Sequence, residues 1–225
     1  APMQQPLRSE TYPRFAQCGP DDITGPRITA ETIGESLHFL IPLLMGYDFT
    51  ASSAIYSPAA HEQVRALSQQ VVKIIRRFTP GQMNWQVINN IGVAAASLLC
   101  RDRWLLDEVI NGPVGFHYHM ADSVLPYGFW FEGTLGYHGL VTRLFLEEAM
   151  MLKRSGIAIG EADRLRQMVD FVVNLADAYG VLPVPGDTRP SKLSDNDHAN
   201  MIRVLQALVE DYPVAIDQTD EYRSE

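Results

Sequence analysis

Asn84-Trp85-Gln86-Val87-Ile88-Asn89-Asn90-Ile91-Gly92-Val93-Ala94-Ala95-Ala96-Ser97-Leu98-Leu99 is the stretch that decides the fold class. It reads as one apolar helix with a polar, aromatic mouth. Its small residues, Gly92 and Ala94 to Ser97, suit close approach to a neighbouring helix. Upstream, Val64, Leu67, Val71, Ile74, Ile75 and Phe78 recur at three- and four-residue steps. That helix opens at Ser57-Pro58 and ends at Thr79-Pro80-Gly81. Before it, Ile33, Leu37, Leu40, Ile41 and Leu44 share one helical face that Gly46 closes. Downstream, a helix is predicted from about Arg103 to Asp122, weakened near Gly112-Pro113. Further helices are predicted over about 134–154, 161–179 and 196–210, with the proline-rich loop Leu182 to Pro190 before the last.

Seven helices with almost no strand signal predict an all-α protein. Successive helices of similar length suggest antiparallel pairs in a bundle, a solenoid or part of an α/α toroid. No fixed repeat period is present, which disfavours the common tandem-repeat families. Residues 1–27 hold five prolines and two glycines and read as an irregular arm. The helical domain is expected over 28–212, and 213–225 is an acidic tail.

Composition narrows the partners. The chain has 225 residues, enough for a sizeable core, and 46% are hydrophobic. The formal net charge of −9 leaves no basic stripe for nucleic-acid phosphates, so no nucleic-acid partner is expected. A local basic pocket can still oppose that sign, from Arg101 and Arg103 or from Lys73, Arg76 and Arg77. No apolar run of about eighteen residues exists, so no membrane span is expected. The two cysteines, Cys18 and Cys100, leave pairing open. His117 and His119 stand two apart with no further ligand cluster, so no metal site is expected there. The first residue is Ala1, not methionine, and the chain is expected to be processed or cut from something longer.

A second stretch carries chemistry: Gly128-Phe129-Trp130-Phe131-Glu132-Gly133-Thr134-Leu135-Gly136-Tyr137-His138-Gly139. Like the first, it sets polar side chains beside large rings at the start of a helix. That combination suits sugar rings and proton transfer. The two stretches lie about fifty residues apart and would meet only through folding.

Asn84-Trp85-Gln86 with Ile91-Gly92, the segment Gly128 to His138, and Leu182-Pro183 to Gly186-Asp187 together resemble the toroid domain of heparinase II/III-like polysaccharide lyases, over about residues 30–200. Tyr127 stands where that family often has Asp, and Trp85 where some relatives place a histidine. The resemblance implies an incomplete (α/α) toroid and β-elimination at a uronic acid of an acidic polysaccharide, with no cofactor expected in this piece. It implies that a β-rich C-terminal domain is missing from this piece, and it points to the periplasm or the outside of the cell. It makes Asn84 the group that neutralises the substrate carboxylate, since preorganised donors act where charge develops. It makes Tyr137 the general acid; an ordinary phenol is protonated at neutral pH, and a positioned acid is worth about 10²–10⁴-fold in rate. Trp85, Gln86, Trp130, Glu132 and His138 are the implied substrate-binding residues.

The same residues carry plainer readings. Asn84 suits a helix cap, Tyr137 a half-buried ring, Trp130 the core, and Glu132 a helix N-terminus. Asp187 belongs to a solvated loop. Two other functions compete with the lyase. One is a toroid glycoside hydrolase using Glu132 and Asp187 as its carboxylate pair. The other is a helical module that binds glycan without turnover.

Overall fold

A computed structural model describes residues 35–77, 79–184 and 189–209. The arm over 1–27, the tail over 213–225, Cys18 and Asp187 lie outside the described residues. Among the described residues there is no β-strand, only two isolated bridges, Val124 with Trp130 and Val181 with Lys192. The protein is all-α, with seven helices longer than a single turn among those residues.

We number them α1 (Ile41–Thr50), α2 (Pro58–Ile75), α3 (Asn84–Cys100), α4 (Arg103–Asn111), α5 (Leu135–Arg154), α6 (Ala162–Leu175) and α7 (Asn196–Leu208). The chain divides into two compact units, 1–118 and 119–225.

In the first unit, α2 packs on α3 and α3 on α4; α1 and the π-helical turn Glu35–Leu40 before it lie against α3. Pro42 sits at the junction of the π-helical turn and α1, where it brings no N–H to the preceding turn. Ser57 caps α2 by accepting the Ala60 N–H at 3.1 Å, and Asp102 caps α4 by accepting the Leu105 N–H at 3.0 Å. The small face of α3 does what its composition suggests. A Cβ on Gly92 would stand 2.3 Å from Ser36 Oγ, which itself donates to the Ile88 carbonyl at 2.7 Å. The helix predicted over 103–122 ends instead at Asn111. Gly112-Pro113 breaks it, and a short turn, Phe116–Tyr118, follows.

In the second unit, α5, α6 and α7 each pack against the other two. Leu144, Phe145, Leu152, Leu165, Met168 and Leu205 are each at most 2% exposed. Ahead of α5, the loop through Val124 and Trp130 is clasped by Arg164 of α6. That guanidinium donates to the carbonyls of Met120, Val124 and Pro126. Gly128 is required there: its φ is +92°, and a Cβ would stand 2.2 Å from the Gln167 carbonyl oxygen.

Candidate functional site

Thr134 is the N-cap of α5, and the N–H it accepts is that of Tyr137, at 3.2 Å. The cap therefore fixes the backbone of the tyrosine itself. From Tyr137 one stripe of α5 runs through Gly136, Gly139, Leu140 and Arg143. These residues line one side of a cleft of about 500 Å³ within the second unit. The other side comes from the segment before α7 and its first turns: Arg189, Ser191, Asp197, His198 and Met201. Leu135, Val172 and Leu182 make an apolar base, packed in turn by Phe129 and Phe171. Tyr137 is 37% exposed.

The cleft's charge opposes that of the chain as a whole. Two arginines and one aspartate line it. Arg143 lies between Glu147 (3.9 Å) and Asp197 (4.0 Å), too far for either to consume its N–H donors. Such half-exposed pairs contribute about 0–1 kcal/mol, so the guanidinium is held in place without being saturated. Burial pushes the Glu147 carboxyl above the ordinary range; Arg143 opposes that and Asp197 reinforces it.

His198 sits 3.4 Å through Nε2 from Ser191 Oγ. Its Nδ1 is buried without a hydrogen-bond partner. Burial lowers its pKa, against the opposing charges of Asp195 and Asp197. Its Cε1 lies over Gly139, where a Cβ would come within 3.7 Å.

The other sequence-predicted residues lie elsewhere. His138 is fully buried. Its Nδ1 accepts the Trp130 N–H at 3.2 Å, so the ring proton sits on Nε2 and is donated to the Met168 carbonyl at 3.0 Å. Burial drives its pKa down to about 4; the Met168 carbonyl resists this and the His198 charge assists it. Trp130 is also at 0% exposure, and its indole N–H is held by Glu132. Direct sugar contact by Trp130 and His138 is therefore corrected: both brace the loop that leads into α5. Glu132 is half-buried and tied to that indole.

In the first unit, Met83 holds the cap position of α3 with extended backbone, so Asn84 is the first helical residue and not the cap. Asn84 is 4% exposed and Gln86 6%, while Trp85 is half-buried. Gln86 belongs to an internal chain of amides. It accepts the Gly81 N–H and donates to Asn90 Oδ1 at 2.8 Å, and Asn90 donates on to the Val114 carbonyl at 2.8 Å. That chain ties the loop before α3 to the segment after α4 and corrects Gln86 from a substrate ligand to a structural one.

Arg143, Arg189, Ser191 and His198 were not singled out in the sequence. Arg143 stands two helical turns after Gly136, a spacing readable in the sequence; nothing local points to the other three, which reach Tyr137 only through the packing of α7 on α5. No family model matches this chain, and no curated protein matches it. Among the described residues no helix is long and apolar enough to cross a membrane.

Proposed function

We propose that this chain is the helical part, an incomplete (α/α) toroid of antiparallel helix pairs, of a polysaccharide lyase that cleaves a uronate-containing glycan by β-elimination. One observation carries the reading: Tyr137 lines a sugar-sized cleft together with Arg143 and Arg189. Elimination next to a carboxylate builds negative charge on that carboxylate, and fixed cationic donors lower the barrier where such charge develops. Arginine suits this because its planar fork matches a carboxylate. In this scheme Tyr137 donates its phenolic proton to the departing glycosidic oxygen. The carboxylate role first assigned to Asn84 passes to the two arginines, because they share the tyrosine's cleft whereas Asn84 is buried in the other unit. A substrate of this kind fits action in the periplasm or outside the cell.

The hydrolase reading has less support. Glu132 is committed to the Trp130 indole. Incubation of the chain with a panel of uronate polymers tests the proposal, since elimination leaves an unsaturated uronate with ultraviolet absorbance and hydrolysis leaves none. Tyr137→Phe is expected to lower turnover by about 10²–10⁴-fold with glycan affinity nearly unchanged. Cleavage without the chromophore, or full activity in Y137F, overturns it.

A further inference from the structure

We propose that the surface where the end of α2 meets α4, around Trp104, is a second binding site for an anionic glycan chain, placed in the first unit and without turnover. The inference takes its class of polymer from the elimination reading, but none of its residues belongs to the cleft.

Trp104 stands in the first turn of α4 and is 66% exposed. Among the described residues from 58 to 111 it is the one large hydrophobic side chain left in solvent. An indole in water forgoes the stabilisation that burial would bring, and exposed tryptophans backed by arginine are typical anchors for a partner. Here the ring is braced. Arg76, at the end of α2, lays its guanidinium carbon 5.1 Å from the centre of the indole. The same guanidinium donates to Glu108, one turn further along α4. One side of the ring is thereby supported while most of it stays in solvent.

The charges around the ring run against the sign of the chain. Lys73, Arg76 and Arg77 stand at the end of α2, Arg101 and Arg103 at the start of α4, and all are exposed. The carboxylates of the same two segments are already engaged. Asp102 accepts the Leu105 N–H, Asp107 accepts from Asn111, and Glu108 holds Arg76. Among the described residues, Lys73, Arg77, Arg101 and Arg103 pair with no carboxylate. In a chain of net charge −9 this is a local cationic excess.

This pairing of groups selects the partner. An indole face takes the C–H face of a sugar ring, and guanidinium groups take carboxylates. The excess of positive charge is modest, which suits one carboxylate per uronate better than a dense phosphate backbone. A single ring without exposed aliphatic neighbours gives a bilayer little apolar area to bury. A polymer long enough to touch both this surface and the cleft is held more tightly than either site alone would hold it.

The test uses the full chain with polygalacturonate, alginate and hyaluronan, each as long polymer and as short oligomer. Trp130 is fully buried and Trp85 half-buried, so Trp104 is the indole most open to a collisional fluorescence quencher. Long polymer is expected to shield it, and Trp104→Phe to remove the shielded component. Trp104→Ala is expected to weaken long-polymer binding by about tenfold, with kcat on short oligomers within about twofold. Arg77→Glu with Arg103→Glu is expected to weaken binding similarly and to flatten its salt dependence. Wild-type polymer affinity in both variants, or no shielding of Trp104 by any of the glycans, overturns the site and leaves the lyase reading standing. Trp104-dependent polymer binding by a chain that turns over none of the glycans supports the site and overturns the lyase reading. Shielding by phosphatidylserine vesicles or oligothymidylate but by no glycan overturns the site in favour of a membrane or a nucleic acid.

Discussion

His138 and Tyr137 are adjacent in the chain, but one helical step of about 100° turns them to different faces of α5. The histidine goes into the core, where two backbone groups hold its ring, and the tyrosine goes to the cleft wall. The sequence of the motif from Gly128 to Gly139 did not show the division of labour among its residues. Gly128, Trp130, Glu132 and His138 build the support, while Tyr137 lines the cleft. Gly128 carries the sharpest prediction at this scale. Gly128→Ala combines a left-handed φ with a backbone clash against Gln167, and is expected to cost about 2 kcal/mol or more. A denaturant midpoint measures it; a change within about 0.5 kcal/mol contradicts the close approach.

The elements follow their local signals closely. Ser57-Pro58, Asp102 and Thr134 start helices because each side chain satisfies an N–H that the first turn leaves open. Gly112-Pro113 ends α4 for the complementary reason: proline brings no N–H and the glycine no propensity. Asn84 was the exception. An asparagine at a helix mouth is a good cap, yet here Met83 takes that position, because the backbone enters α3 one residue earlier. Thr134→Ala is expected to cost about 1 kcal/mol of stability, as cap removals do. Because the N–H it frees belongs to Tyr137, turnover is expected to fall further than the stability loss explains, and Thr134→Ser to restore both. Thermal melts set beside rate measurements check this; an activity loss with no melting shift in T134A, or no rescue by serine, argues against the cap's role.

At the scale of the whole molecule, two buried groups carry the largest opposed shifts among the described residues. Glu148 is fully buried, neither carboxylate oxygen has a partner, and burial pushes its pKa up to about 8 from an ordinary 4.5. Between those values the unfolded chain has released the proton that the folded chain keeps, so stability falls as pH rises. His138 acts oppositely. Its pKa is about 4 when folded against an ordinary 6.5, so in that interval the unfolded chain binds a proton the folded chain refuses, and stability falls as pH drops. The two slopes cancel between about pH 4.5 and 6.5, where the melting temperature is expected to peak. Glu148→Met is expected to remove the alkaline decline, on the order of a few kcal/mol, and to raise the melting temperature at pH 8. An alkaline arm that persists in E148M assigns it to another group. What the sequence by itself determined was the all-α class and the approximate places of the helices, although α4 stops at Asn111 and α1 runs past Gly46 to Thr50, because periodicity, caps and breakers act over a few neighbouring residues. What only the tertiary structure decided was the composition of the cleft. Arg189, Ser191 and His198 come to Tyr137 from more than fifty residues away, and that meeting depends on how α7 lies against α5, a relation between surfaces that no local pattern encodes.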